Sequence, residues 1–360
     1  MDSLNRGGAE ILALDVCRNA RAGGLDLSFV ATGGGALEDD FKRSGVDFHR
    51  LERRLPLDFG VVAALRRIVK ERSVEIVHAH QAVEGMHAYF ACLGTRARLV
   101  LSFHGYIADR KNRLALRFLI PRTAANVTVS REFLTWLKEK ENLATERNFH
   151  VVYNGVDERR LASSGNDLKK ELGLGPDALV FGMIGNFYAA PRKDQLTVCH
   201  ALPAVFARLE NAHFVFAGAA EAGSDYEECL RVCRANGIEN RVHFLGARSD
   251  VADILAALDV FVLSTRHESF GIAAVEAMLA GAPAVLSDIE PLREVACDGE
   301  FAEIFRTGDA ADLAAKLIGL GEDHARREAL ADRARRHARA NFSIEAHIAN
   351  LKKLYAEIAG

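Results

Sequence analysis

The chain is 360 residues long, 49% hydrophobic and 26% charged, with a net charge of −3. That is long for one domain, so two are expected, and the composition is globular rather than fibrous or disordered. No run of about 18 or more apolar residues exists, which excludes a membrane-spanning helix, and nothing in the charge or motifs points to nucleic acid as a partner.

In chain order, Met1 to Arg6 have no apolar core and are not read as a signal peptide. A helix opens directly at Gly7-Gly8-Ala9-Glu10, where a doubly wound sheet calls for a preceding strand. Either the start of the chain falls late or another segment fills the gap. Short apolar runs then follow at Leu25–Ala31, Val74–Ala79, Arg98–Phe103, Asn126–Ser130, His150–Tyr153, Leu179–Ile184, His213–Ala217, Arg241–Leu245, Asp259–Leu263 and Ala284–Ser287. Helical stretches separate them, the pattern of parallel sheets covered on both faces. These strands are too many for one ordinary sheet, and Ser163-Ser164-Gly165-Asn166 reads as a linker. The expected layout is a domain over 1–160, a second over 161–340, and a closing helix over 341–360 with apolar Ile344, Ile348, Leu351, Tyr355 and Ile358 at helical spacing.

Charge is divided unevenly. Residues 1–160 hold 25 Lys and Arg against 20 Asp and Glu, a net +5, and the remaining 21 and 29 give −8. The stretch from Arg110 to Arg122 mixes cations with bulky apolar residues. That suits either an anionic membrane surface or a phosphorylated acceptor, or else a solvated helix face. The reading is a cytoplasmic protein with peripheral contact at the inner face of the membrane. The six cysteines, Cys17, Cys92, Cys199, Cys229, Cys233 and Cys297, fall mostly in apolar patterns and read as reduced thiols.

The most informative stretch is Arg266-His267-Glu268-Ser269-Phe270-Gly271-Ile272, which follows an apolar strand and opens a helix closed by Gly281 and Pro283. Ligands of open α/β sheets collect at such strand ends. Orphan N–H groups of the Ser269 to Ile272 turn can hold a diphosphate, and Gly271 lets it approach. Glu268 reaches one end of such a ligand. Glu276 lies about 7–8 Å further along the helix, the reach from a diphosphate to a ribose. Two carboxylates around a phosphate cradle suit a sugar nucleotide; the plain alternative is a loop carboxylate and an ion-paired helix residue. Arg192 and Lys193 begin another helix, where cations oppose the dipole unless an anion is near. Gly7 and Gly8 offer N–H groups to a phosphate. His80 and His104 end neighbouring strands, each positioned to donate to a sugar hydroxyl or a leaving oxygen, and Asn154 sits in a turn at the hinge. No Asp-x-Asp triplet occurs, so the charge for a diphosphate is expected from cations and helix termini rather than a metal.

Taken together, Gly7-Gly8-Ala9-Glu10, His104-Gly105, Asn154-Gly155-Val156-Asp157, Arg192-Lys193 and Glu268-Ser-Phe-Gly-Ile-x-x-x-Glu276 with Gly281-x-Pro283 resemble the family 4 retaining glycosyltransferases. The resemblance implies a GT-B fold: two Rossmann-like parallel-sheet domains facing across a cleft, with the C-terminal helix crossing back to the first. It implies that Glu268 contacts donor sugar hydroxyls, and that Phe270, Gly271 and Ile272 offer backbone N–H groups. Glu276 would hold the ribose, Lys193 with Arg192 the leaving diphosphate, Gly8 a contact from the first domain, and His104 the side of the donor sugar. The base would lie near Gly246-Ala247-Arg248. Asn186 departs from the pattern, since many members carry arginine there, and so does the strand missing before Gly7. The implied activity is metal-independent transfer, with retention, of a sugar from a UDP- or GDP-sugar to a glycan or lipid-linked acceptor in cell-surface polysaccharide or glycolipid synthesis. The alternatives are a sugar-nucleotide epimerase or hydrolase on the same frame, and a degenerate member that binds without turnover.

Overall fold

The computed structural model describes residues 1–105, 109–146, 148–190 and 192–359. The chain divides into two compact units, Met1–Val156 with Phe342–Gly360, and Asp157–Asn341. In the first unit the strands are β1 (Ser28–Ala31), β2 (Asp47–Arg50), β3 (Ile76–His80), β4 (Arg98–Phe103), β5 (Ala125–Thr128) and β6 (Phe149–Val151). Every pairing is parallel, but the strands form two separate sheets, β1-β2 and β3-β4-β5-β6. Three of the helices between the strands start on side-chain caps. Asp58 accepts from Gly60 N at 2.9 Å, Asp109 from Asn112 N at 2.8 Å and Ser130 from Phe133 N at 3.0 Å. The last helix, Ile344–Ala359, closes this unit. Leu351 and Leu354 pack with Val100, Val127 and Val152, while Ile344 and Ile348 pack with Leu12.

Met1 to Arg6 form no strand, yet they are not loose. The Met1 ammonium donates to Val30 O at 2.8 Å and Met1 O accepts from Thr32 N at 2.8 Å, one parallel bridge on the free edge of β1. Leu4 is fully buried in a cluster with Leu14, Phe29 and Phe41.

The second unit contains β7 (Leu179–Ile184), β8 (Ala212–Ala217), β9 (Val242–Phe244), β10 (Val260–Leu263), β11 (Ala284–Ser287) and β12 (Glu303–Phe305). They make one parallel sheet in the order β12-β11-β10-β7-β8-β9. β10 and β11 are buried along their whole length, as their unbroken apolar sequences require of central parallel strands. The chain runs outward to β8 and β9 on one side of β7, and to β11 and β12 on the other side of β10. The switch point therefore lies between β7 and β10, where loops diverge and ligands bind.

All ten apolar runs read from the sequence are strands or overlap one. β2 and β12 escape that reading because they are short edge strands, and edges carry polar residues such as Asp47, His49, Arg50 and Glu303. Ser163 to Asn166, linker-like in composition, is tied down in the second unit. Ser163 Oγ, Ser164 N and Ser164 Oγ donate to the Asp253 carboxylate at 2.6, 2.6 and 2.7 Å, and Asn166 Nδ2 at 3.2 Å.

Candidate active site

At the switch point the loops after β7 and β10 are zipped together. Asp194 N donates to Ser264 O at 2.9 Å, Arg266 N to Arg192 O at 2.9 Å and Thr265 Oγ1 to Arg192 O at 2.7 Å. Thr265 is pinned in turn by Ser287 Oγ, which accepts from its N–H at 2.9 Å. Asp194 caps the helix Gln195–Arg208 by accepting from Thr197 N at 3.2 Å, and also accepts from Arg266 Nε at 3.1 Å. These bonds fix the backbone on both sides of Lys193, whose ammonium donates to Glu268 Oε1. Both side chains are mostly buried, 15% and 18% exposed. The two residues that best suit a diphosphate and a sugar are thus already in contact.

Helix Ile272–Ala280 begins three residues after Ser269. Gly271 caps it at φ 99° and ψ 51°, the left-handed region, and a Cβ there would sit 2.4 Å from Leu292 Cδ2. Glycine is therefore required twice, by conformation and by space. Phe270 is buried, 1% exposed. The helix ends at Gly281, also left-handed at φ 87°. One turn into this helix Glu276 Oε1 accepts from Arg160 at 2.6 Å. Both reach the site from sequence-distant elements, and no local pattern around Arg160 announces the pairing.

Arg192 is exposed and lies over the Tyr188 ring at 5.9 Å from its centroid. Asn186 is also exposed, and its Oδ1 accepts from Ala219 N at 3.0 Å, which holds the loop after β7 to the loop after β8. Arg248 is fully engaged. It donates to Glu171 at 2.6 and 2.9 Å and to Asp250 at 2.8 and 2.6 Å, and these carboxylates raise its already high pKa. Its guanidinium ties the loop after β9 to Glu171 in the helix Leu168–Glu171.

The first unit gathers a second group of candidates. Gly7 caps the helix Gly8–Asn19 in an extended conformation, and a Cβ there would meet the Glu10 carboxylate. His80 Nδ1 and His104 Nε2 share a hydrogen bond of 2.7 Å, their rings stacked at 4.9 Å. Behind them His78 bonds to Tyr355 Oη at 2.5 Å and to Ser102 Oγ at 2.7 Å, while His347 donates through Nδ1 to Tyr153 O at 2.6 Å. Burial disfavours the cationic form of all four. It pushes His78 down to about 3, His104 and His347 to about 4, and His80 well below its ordinary value. They are neutral donors and acceptors near pH 7. Asn154 is buried in the turn after β6, and its Oδ1 has no hydrogen-bond partner among the described residues. Next to it Gly155 lies so close to Ile344 and Ser343 that a Cβ would be 2.9 Å from backbone atoms of each. His347 was not singled out from sequence and Tyr355 was read only as an apolar position of the closing helix, because their convergence on the strand-end histidines depends on where that helix packs.

Solved structures share this architecture from end to end. Anabaena Alr3699/HepE in complex with UDP matches with a TM-score of 0.84 over 99% of this chain and 100% of that one, at 22% identity. A glycosyltransferase from Rickettsia africae matches with a TM-score of 0.84 over 99% and 97%, at 16% identity. The fold is that of the GT-B glycosyltransferases, with two Rossmann-like units. Sequence profiles carry the assignment from fold to family: Glycosyltransferase Family 4 matches residues 6–160 and Glycosyl transferases group 1 matches residues 178–323. The chain belongs to this family and is a glycosyltransferase. Among curated relatives, the N-acetyl-alpha-D-glucosaminyl L-malate synthase of Bacillus anthracis is 25% identical over 84% of this chain and 80% of its own. The phosphatidyl-myo-inositol mannosyltransferase of Mycobacterium leprae is 28% identical over 76% and 71%.

Proposed function

We propose that this glycosyltransferase moves a sugar from a nucleoside diphosphate sugar, UDP- or GDP-linked, to a hydroxyl of a glycan or lipid-linked acceptor, with retention and without a metal. The observation that carries the reading is the Lys193–Glu268 pair at the switch point, beside the Gly271 turn. Lys193, with Arg192, supplies positive charge to the leaving diphosphate. The N–H groups of Ser269 to Ile272 bind it further. Glu268 accepts from sugar hydroxyls, and Glu276, steadied by Arg160, accepts from the ribose. The loop braced by Arg248 faces the base, and Asn186 shapes the floor after β7. Gly7 and Gly8 offer backbone N–H groups to a phosphate of the donor, and His80, His104 and Asn154 serve the transferred sugar and the acceptor. A phosphate oxygen of the leaving group takes the acceptor proton, so the protein's task is positioning and charge stabilisation. Anabaena HepE has been solved with UDP and with UDP-glucose, which supports a nucleotide sugar as donor.

No helix among the described residues is long and apolar enough to cross a membrane. Peripheral contact of the first unit with an anionic bilayer is supported by helix Arg110–Leu119, where Leu114 is 57% exposed among cations, and by Arg122, which stacks 4.1 Å from the Phe118 ring centroid. This placement goes with synthesis of cell-surface polysaccharide or glycolipid. The test is incubation of the protein with labelled UDP- and GDP-sugars and glycan or lipid acceptors, with EDTA and with anionic vesicles as variables. Acceptor-dependent transfer that survives EDTA is expected; intact donor with every acceptor would overturn the reading, and sugar isomerised without acceptor would make the protein an epimerase.

A further inference from the structure

His80 and His104 stand at the ends of the neighbouring strands β3 and β4, and the backbone holds their relative placement. In the parallel register His80 is level with Ser102. One residue further, Gln81 N donates to Ser102 O at 2.9 Å, which carries the ladder past the end of β3. Gln81 makes that bond at φ 74° and ψ −178°, a region that glycine alone occupies readily. Such a strained residue persists only where its surroundings impose it. Here it sets where β3 stops and the helix Ala82–Cys92 begins, and so where the His80 ring stands. The His78 ring, on the same face of β3, lies 5.0 Å from that of His80 and steadies it from behind.

His80 Nδ1 is 2.7 Å from His104 Nε2, and burial disfavours the cation on both rings. Between two neutral imidazoles one nitrogen donates and the other accepts, so only two arrangements exist. If His104 Nε2 donates, His104 Nδ1 is an acceptor. If His80 Nδ1 donates, His104 carries its proton on Nδ1 and is a donor there. His78 does not compete for the pair, because its two nitrogens bond to Tyr355 Oη and Ser102 Oγ. A donor strengthens its bond as negative charge grows on a sugar or leaving oxygen, and an acceptor does not.

We propose that His80 is a positioning residue for His104: its Nδ1–H donates to His104 Nε2, which orients the His104 ring and fixes the proton on Nδ1, so that His104 meets the sugar as a hydrogen-bond donor. The inference rests on the reading that His104 serves the transferred sugar, and it deepens that reading by naming the atom and what sets its protonation. His80 acts through His104. The strained strand end at Gln81, the register with Ser102 and the contact between the two rings carry the assignment.

The test joins a spectrum to kinetics in the whole chain. Imidazole nitrogen NMR of isotope-labelled protein at pH 7 distinguishes a protonated ring nitrogen from a bare one, and His104→Gln identifies the His104 signals. Native protein is expected to show His104 protonated at Nδ1 and bare at Nε2. His80→Leu, which fills the space without a donor, should let the proton move to Nε2 or exchange between the two nitrogens. His80→Asn, whose amide donates from the place of Nδ1, should restore the native pattern. With a UDP- or GDP-sugar and acceptor, His80→Leu should lower kcat by about 10-fold or more with the donor KM within about 3-fold, and His80→Asn should recover most of the loss. The native spectrum persisting in His80→Leu would overturn the proposal, as would a native His104 protonated at Nε2. Unchanged transfer by His104→Gln would overturn the sugar-site reading on which the proposal rests, whereas a proton on Nδ1 that His80→Leu displaces would still establish that His80 sets the His104 tautomer.

Discussion

Lys193 and Glu268 lie 75 residues apart in sequence and share a hydrogen bond. Each was legible alone, Lys193 as a cation misplaced at a helix start and Glu268 as a carboxylate at a strand end. Their contact was not, because it depends on the antiparallel bridge between Lys193 and Thr265. Arg160 was not legible at all: nothing in its neighbourhood shows that it meets Glu276. The four buried histidines lead to a prediction about pH. In the unfolded chain each titrates near about 6.5. In the folded protein His78, His104 and His347 titrate at about 3 to 4, and His80 is also lowered. Between these limits the unfolded chain binds protons that the native one does not, so stability falls on acidification from pH 6.5 toward 4. The upper bound by pH 5 is about 2 kcal/mol per histidine. Urea unfolding followed through Trp136 should show a lower midpoint at pH 5 than at pH 7, and His78→Gln should reduce the difference. Equal midpoints at the two pH values would contradict neutral burial.

Among the elements, helix Ile272–Ala280 was the clearest in the sequence. A strand, two glycines at its ends and Pro283 leave little choice of boundary, and the structure uses both glycines in the left-handed region. Gly271→Ala should cost about 2–4 kcal/mol in the second unit, from the strained backbone and the collision with Leu292 together. Chemical denaturation of the variant measures this; an unchanged stability would mean that the turn can relax. The apolar runs marked strands well because a buried parallel strand is mostly apolar on both faces. β2 and β12 were missed for the complementary reason, since an edge strand has only one partner and a polar side. Ser163 to Asn166 has the composition of a linker, yet its hydroxyls and amide converge on Asp253, and composition does not encode where such donors find an acceptor.

For the whole molecule, alternating strands and helices sufficed to predict two Rossmann-like units, and relatives with matching architecture bear that out. The division of the first unit's strands into two separate sheets, with a cavity between β1 and β3, needed coordinates. The proposed donor chemistry falls on Lys193 and Glu268 of the second unit. The most direct test is the rate of sugar transfer by Lys193→Ala and Glu268→Gln, with circular dichroism confirming that both variants fold. Each should lose a factor of about 100 or more, as expected when a charge-stabilising contact to the transition state is removed, and the double variant should lose less than the product of the two because the residues act as a pair. Transfer at the unsubstituted rate in both variants would contradict the assignment.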